Sequence, residues 1–193
     1  MSTKADLLEV TARLFADHGW RGTTTRRIAE AAGVNEVTLF RHFGSKEALL
    51  GEAIRAVALE VHPDRGLPEV PVRLREELLE WVTRQHARLR QHGSLIRTCL
   101  AEFEEHPELA PVACDGSVSA FADAARYLSA ARRRGMLSSD GSIEAATVML
   151  MNAVFMDAVT RDVIEGCRPV PVADALHEFV DLTLRALGAV EVR

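Results

Sequence analysis

Apolar residues recur every three or four positions along most of the chain, which is the spacing of one buried face on an α-helix. The first stretch places four apolar side chains on such a face: Leu7, Val10, Leu14 and Phe15. Thr3 and Asp6 match the two ends of a capping box, and Gly19 marks the expected end of this helix. Runs of alternating β-branched residues, typical of strands, are lacking. The pattern therefore predicts an all-α protein.

Two short helices joined by a glycine turn are predicted between residues 23 and 43. Thr24 is placed to cap a helix over 25–32, because its hydroxyl can accept a hydrogen bond from an unpaired backbone N–H. Gly33 follows where a left-handed residue is needed, and glycine adopts that conformation without a steric penalty. Asn35 is a good cap for a second helix over 36–42. The spacing predicts a helix-turn-helix.

The second short helix has an outward face that its core contacts do not explain. Leu39 and Phe43 point inward, and a step of about 100° per residue places the opposite row outward. That row consists of Val37 and Arg41, flanked by Thr38 and Phe40. An arginine can pair bidentately with guanine, and valine, threonine or phenylalanine can contact a thymine methyl group. The row therefore suits base edges in the major groove of DNA.

Basic and polar side chains around this row complete the predicted DNA-binding surface. Arg26, His42 and Lys46 are expected to contact phosphates. The whole predicted set is Thr24, Thr25, Arg26, Arg27, Glu36, Val37, Thr38, Phe40, Arg41, His42 and Lys46. The alternative is a solvated face on an ordinary helix pair, or a helix-turn-helix that contacts protein, since this geometry also occurs in proteins that never bind DNA.

A fourth helix connects this region to the rest of the chain. Ser45 caps it, and its predicted buried stripe is Leu50, Ile54, Val57 and Val61. Prolines and glycine between His62 and Pro68 then break the pattern. We therefore expect a DNA-binding domain at residues 1–50, with the helix from 45 continuing as a connector to about 62. A larger helical domain follows at residues 63–193.

The second domain has the spacing of five further helices. They are predicted at about 72–91, 94–105, 117–134, 142–165 and 171–188, with 106–116 as a loop or a frayed short helix. Large apolar and isolated polar side chains on these helices suggest a pocket for a small apolar or amphipathic effector. The predicted lining is Trp81, Phe103, Tyr127, Met151, Asn152 and Phe155. The alternative is that each of these residues belongs to an ordinary core.

The last two predicted helices carry more apolar surface than a small domain is expected to cover, which usually marks a partner. Packing the pair against a symmetry mate would form a four-helix dimer interface. The predicted contact residues on the last helix are Val172, Leu176, Phe179, Val180, Thr183 and Leu187. The alternative is a monomer with the same helices folded inward.

Charge is distributed unevenly between the two regions. The net charge is −5 for the chain, +3 between Arg21 and Lys46, and −6 over residues 51–193. The acidic region should therefore have a role other than phosphate binding. The amino terminus has no apolar leader, and Asn152 and Asp157 interrupt the longest apolar stretch, so we expect a cytoplasmic protein without a membrane partner.

Cysteine and histidine are sparse and scattered. Cys99, Cys114 and Cys167 are odd in number and far apart in sequence, which argues against a disulfide framework or structural zinc. His86, His92 and His106 could form a metal site only if the tertiary fold brought them together. No metal or other cofactor is therefore predicted. A redox- or metal-sensing regulator stays an alternative. No nucleophile–base pair or phosphate-binding glycine loop is visible, so we predict that the protein is not an enzyme.

The first fifty residues resemble the tetracycline-repressor (TetR) family of bacterial transcription regulators. The matching segments are Leu14-Phe15, Gly19-Trp20, Thr23-Thr24, Ile28-Ala29, Ala32-Gly33-Val34, Thr38-Leu39-Phe40, His42-Phe43 and Ser45-Lys46-Glu47-Ala48-Leu49. The resemblance implies a homodimeric repressor that an effector releases from a palindromic operator in double-stranded DNA. The chain departs from the family pattern at Arg27, where an acidic residue is common, and at Phe40, where tyrosine is common. The first departure suggests an added phosphate contact, and the second removes a hydroxyl that commonly reaches phosphate.

Overall fold

The computed structural model describes residues 3–61, 66–164, 166 and 170–189. Within these residues the chain forms helices and one isolated β-bridge, between Leu137 and Ala189, which confirms the predicted all-α class. The helices are α1 (Lys4–Gly22), α2 (Thr25–Ala32), α3 (Glu36–Phe43), α4 (Lys46–Val61), α5 (Leu74–Gln91), α6 (Gly93–Glu102), α7 (Leu109–Arg133), α8 (Ile143–Thr160) and α9 (Val172–Ala186).

Side-chain caps begin several of these helices where the sequence predicts them. Thr3 and Asp6 form the reciprocal capping box of α1. The Thr24 hydroxyl accepts a hydrogen bond from the Arg27 N–H at 3.2 Å, and Asn35 Oδ1 accepts one from the Val37 N–H at 3.0 Å. Each such cap typically stabilises a helix by about 1 kcal/mol. Local hydrogen bonding therefore explains where these helices start.

The largest differences from the predicted helix bounds are at the start of α7 and at the end of α8. The segment predicted as a loop or a frayed short helix at 106–116 is largely helical and continuous with the helix predicted after it, because α7 begins at Leu109. Pro111 lies in the first turn, where its missing N–H breaks no helical hydrogen bond, so the proline is tolerated there. Helix α8 ends at Thr160, five residues before the predicted end. The predicted break at residues 62–65 lies outside the described residues.

The first of two compact units comprises residues 1–61 and 92–116. The sequence analysis assigned 92–116 to the second domain, whereas the structure groups it with the amino-terminal helices. One core cluster of this unit is formed by Leu7, Ile28, Ala29, Leu39, Phe43 and Leu49, and fixes α3 against α1, α2 and α4. A separate cluster joins α1 and α4 to α6 and the start of α7 through residues such as Phe15, Leu50, Cys99 and Leu109.

The second unit comprises residues 62–91 and 117–193. Its core includes Leu78, Trp81, Val82, Tyr127, Leu128, Val154 and Val180. A fully buried Asp157 lies among these side chains. It accepts hydrogen bonds from Arg161 at 2.6 and 2.9 Å and pairs with His86 Nε2 at 2.8 Å. The charge is thus compensated inside the core, as a buried carboxylate requires.

Helix α8 is, among the described residues, the one helix long and apolar enough to cross a membrane, with a mean hydropathy of 1.4 over 18 residues. The same helix carries eight buried residues, including Asp157. The core helix of a folded domain has this composition as well.

Candidate nucleic-acid interface

The outward row of α3 is fixed from behind by its buried face. Leu39 and Phe43 are nearly inaccessible, whereas Val37 is 71% exposed and Phe40 is 49% exposed. Arg41 and His42 are also exposed, and Thr38 and Glu36 are half-buried. Burial therefore confirms the predicted division of α3 into an inner face and an outer face. The outer face offers one guanidinium between apolar side chains.

The turn before α3 has the predicted left-handed glycine. Gly33 has φ 67° and ψ 32°, and its N–H and the Val34 N–H bond back to the end of α2. These bonds satisfy carbonyl groups that would otherwise be unpaired at a helix end. They fix the start of α3 relative to α2, so the outer face has one defined orientation within this unit.

The two arginines of α2 make different hydrogen bonds within the protein. Arg26 donates to Glu30 at 2.9 Å along the helix, and this pair raises the pKa of the guanidinium. Arg27 donates to the Gly22 carbonyl oxygen at 3.3 Å. Both side chains are exposed, as is Thr24, while Thr25 is half-buried. Arg26, which was expected to contact phosphate, is thus paired with Glu30 one turn later on the same helix.

Lys46 is engaged by the protein instead of projecting freely into solvent. Its Nζ donates to the Trp20 carbonyl oxygen and lies 4.8 Å from the centre of the Trp20 ring. Burial lowers the pKa of Lys46, although Glu47 and Glu102 act in the opposite direction. This arrangement differs from the free phosphate partner predicted from the sequence. The ammonium group holds the end of α1 against the start of α4.

Trp20 connects the end of α1 to the segment that follows α6. Its ring stacks on His106 with ring centroids 3.7 Å apart, and the backbone N–H of Trp20 donates to Glu102 Oε1 at 2.8 Å. Glu102, Glu105 and His106 bring three potential metal-binding atoms within 4.8 Å of one another. These carboxylates already accept hydrogen bonds from Trp20 and Arg21, so the cluster is explained as a tertiary contact.

A pocket of about 160 Å³ opens on the second unit between α5, α7 and α8. We call it the unit-two pocket, and it is lined by Leu89, Ser117, Phe121, Met151, Asn152 and Phe155. The structure thus brings together three of the predicted lining residues: Met151, Asn152 and Phe155. The sequence analysis missed the other three. Ser117 and Phe121 lie one turn apart on α7, a spacing that could have signalled a shared face.

The other three predicted pocket residues have different positions. Trp81 is buried in the core of the second unit, and Phe103 packs in the first unit against the cluster around Phe15 and Leu50. Tyr127 is fully buried, and its hydroxyl donates to Glu77 Oε2 at 2.6 Å. Burial and this carboxylate raise the pKa of Tyr127. These three side chains therefore lie outside the lining of the unit-two pocket.

The predicted dimer contacts on α9 need a similar correction. Leu176, Val180, Thr183 and Leu187 are buried against their own chain, so the prediction is wrong for these four side chains. Val172 and Phe179 are half-buried. The helix stripe was read correctly as apolar, but it faces the protein's own core. Large apolar side chains that stay exposed include Met149 at 73%, Met156 at 47% and Leu182 at 57%.

The cysteine chemistry gives little support to redox sensing. Burial raises the pKa of Cys99 to about 12, with a smaller contribution from Cys114 in the same direction. Little of this thiol is therefore present as the reactive thiolate near neutral pH. Cys114 is exposed, and Cys167 lies outside the described residues.

A capped α2, a glycine turn and an α3 with an exposed outer face define a helix-turn-helix protein, here with a further helical unit. Residues 7–53 match the family described as bacterial regulatory proteins, tetR family. The helix-turn-helix segment of this chain is therefore similar to the DNA-binding region of the TetR family of bacterial regulators.

Named relatives resemble only part of the chain. HTH-type transcriptional repressor KstR2 of Rhodococcus jostii is 46% identical over 52 residues, 27% of this chain and 26% of that protein. HTH-type transcriptional repressor AcnR of Corynebacterium glutamicum is 40% identical over 72 residues, 36% of this chain and 38% of that protein. The solved structure of the flavonoid-responsive regulator FrrA is 25% identical, covers 94% of this chain and 93% of its own, and has a TM-score of 0.71. The chain therefore matches less than half of either repressor and nearly all of one regulator fold.

Proposed function

We propose that this protein is a DNA-binding transcriptional repressor that reads an operator with α3. The carrying observation is the exposed outer face of α3, with Val37, Phe40 and Arg41 projecting from a helix that is capped in front and buried behind. An exposed apolar and cationic row on a short helix suits thymine methyl groups and a guanine edge. Arg27 and His42 flank this row as phosphate contacts. The family match over residues 7–53 and the partial similarity to the repressors KstR2 and AcnR support the proposal.

The repressor acts as a homodimer in this proposal. One short helix contacts few base pairs, and two copies about one helical turn of DNA apart read a palindrome. The surface that supports the dimer is the exposed apolar side of α8 and α9, at Met149, Met156 and Leu182. Exposed apolar side chains that form one contiguous patch usually mark a protein partner. A second copy of the chain is the partner that operator symmetry favours.

A small effector that binds the unit-two pocket releases the repressor from DNA. This effector role is supported by a pocket of about 160 Å³ with apolar walls and two polar side chains. FrrA, which is similar in fold, is a flavonoid-responsive regulator. The effector must bind the form with low DNA affinity more tightly. Moving the protein from mostly bound to mostly released needs about 5.5 kcal/mol of differential affinity.

The test is binding to the DNA immediately upstream of the protein's own gene, measured at several salt concentrations. We expect a protected palindrome and an affinity that falls steeply with salt, because each neutralised phosphate releases counterions. The alternative is that α3 contacts another protein. Weak binding without a footprint, equal for operator and unrelated DNA, would favour that alternative.

A further inference from the structure

We propose that the unit-two pocket takes a small neutral ligand with one ring and one polar group that both donates and accepts a hydrogen bond, as a phenol does. This inference rests on the effector role proposed above and specifies the chemical class of the effector. The size of the pocket, the apolar side chains of its walls and the polar groups near it support this ligand class.

Pocket size limits the enclosed part of the ligand. The volume of about 160 Å³ is close to the roughly 150 Å³ of an engineered protein cavity that accepts benzene. One six-membered ring therefore fills the pocket. A three-ring compound such as a flavonoid would leave most of its surface outside, so this chain needs a smaller ligand than FrrA does.

The walls select an apolar ring. Leu89 and Met151 are buried, and Phe121 and Phe155 are half-buried at the sides. A bound ring would remove the remaining exposed surface of both phenylalanines from water, which favours binding. The lining contains no charged side chain. A ligand carboxylate or ammonium would thus lose hydration without gaining an ion pair from the lining, so a neutral ligand is favoured.

Polar groups near the pocket call for both a donor and an acceptor. Asn152 is exposed and Ser117 is half-buried, and each offers a donor and an acceptor. Gln85 lies one turn before Leu89 on the same face of α5. It is buried, and its Oε1 has no hydrogen-bond partner among the described residues. A ligand hydroxyl can pair with Asn152 and Ser117, whereas a purely hydrocarbon ligand cannot, and Gln85 is not part of the lining.

The experiment measures binding of phenol, toluene and benzoate to the full-length protein in its native assembly state, without DNA. Calorimetry or ligand-observed NMR gives the dissociation constants. We expect saturable binding of phenol, roughly fivefold tighter than toluene, the equivalent of one net hydrogen bond. Benzoate should bind more weakly than phenol. Absence of saturable phenol binding, or benzoate binding as tightly as phenol, would overturn the proposal.

Variants locate the site. Met151→Trp fills the pocket and should weaken phenol binding at least tenfold, whereas Val118→Trp adds the same indole at an exposed position on α7 outside the lining and should leave binding unchanged. Asn152→Leu tests the polar group without entering the core. It should remove most of the preference for phenol over toluene while toluene still binds. Unchanged phenol binding in a folded Met151→Trp, or an unchanged preference in Asn152→Leu, would contradict the assignment.

A second readout separates this inference from the proposed function. Operator affinity is measured with and without saturating phenol, and we expect it to fall when phenol is bound. If phenol binds in the pocket and operator affinity does not change, the effector role is wrong and the ligand class stands. If phenol does not bind while the protein still protects its operator, the ligand class is wrong and DNA binding stands.

Discussion

Arg41 illustrates how a functional side chain is positioned by residues that it does not need to contact. Leu39 and Phe43 are buried on the inner face of α3, and their burial turns Arg41 outward. Helical periodicity alone predicts this, because both faces follow from the step of about 100° per residue. Lys46 shows the limit of such reasoning. Its partner is the Trp20 carbonyl, 26 residues away, and no local pattern encodes that contact.

Arg41→Ala should reduce discrimination at one base pair of each half-site by about 1 to 3 kcal/mol, because a bidentate contact to guanine is lost. Affinities for the operator and for operators substituted at single positions give this value. Arg13→Ala removes the same charge from an exposed position on α1 and serves as the control. Equal effects of the two variants at every base pair would show that Arg41 contributes charge and no base reading.

Arg27→Ala should weaken binding to all DNA sequences to a similar extent. Arg27 is exposed, and the one hydrogen bond that the structure describes for its guanidinium goes to the nearby Gly22 carbonyl, so its charge is available to a phosphate. Loss of one phosphate contact lowers the slope of log affinity against log salt by about 1. Arg27→Lys keeps the charge and should retain the slope. A loss confined to one operator sequence would instead indicate base reading by Arg27.

Asp157→Asn should destabilise the second unit by about 3 to 5 kcal/mol, because it leaves the buried Arg161 guanidinium without its charged partner. Chemical denaturation measures this change. Asp162→Asn is the matched control. Asp162 pairs with Arg90 at 2.6 Å on the surface, and such exposed pairs contribute at most about 1 kcal/mol. A similar loss in both variants would mean that burial of the Asp157 pair is unimportant.

The same variant should change the pH dependence of stability. Burial alone would raise the pKa of Asp157, but hydrogen bonds from Arg161 and His86 and their charges lower it below the ordinary value. A lowered pKa in the folded state gives stability that is present above the unfolded pKa of about 4 and is lost as the pH falls through the folded pKa. Below about pH 4, Asp157→Asn should therefore lose stability less steeply than the wild type. Parallel curves would contradict the assigned ion pair.

At the level of helices, local sequence predicts the first residue of a helix better than its last residue or the segments between helices. The caps at Thr3, Thr24, Asn35 and Ser142 each form as their residue type predicts, because the hydrogen bond spans only two or three residues. The segment after His106 was misread. A proline at 111 and a glycine at 116 signal a loop, yet α7 includes both. Leu109 packs in the core beside Phe15 and Leu50, and such tertiary packing outweighs local propensity.

Asn35→Ala should destabilise the first unit by about 1 kcal/mol, since the cap of α3 loses its hydrogen bond to the Val37 N–H. Asn35→Asp keeps an acceptor at the helix start and should restore most of the loss. Thermal unfolding of both variants measures the effect. The orientation of α3 depends on this cap, so operator affinity should fall in Asn35→Ala as well. Full stability of the alanine variant would show that the core around Leu39 alone fixes α3.

Considering the whole chain, sequence reasoning gave the all-α class and the helix-turn-helix but misassigned long-range contacts. Residues 92–116 group with the amino-terminal helices. No change in sequence composition predicts this grouping. The apolar stripe of α9 was assigned to a partner, although Leu176 and Val180 fill the protein's own core. A helical stripe shows that a face is buried and does not show what covers it. Only three-dimensional packing separates a core face from an interface.

Leu182→Asp should convert the proposed dimer to a monomer and remove most operator binding, because a carboxylate buried at an apolar interface loses hydration without gaining a partner. Leu182 is 57% exposed in the single chain, so the variant should fold normally. Ala173→Asp adds the same charge nine residues earlier, on the opposite face of α9, where the side chain is also exposed, and should stay dimeric. Sedimentation and circular dichroism measure mass and folding for both variants. An intact Leu182→Asp dimer would place the interface away from this side of α9, and a monomer that still protects both half-sites would show that operator binding does not require the dimer.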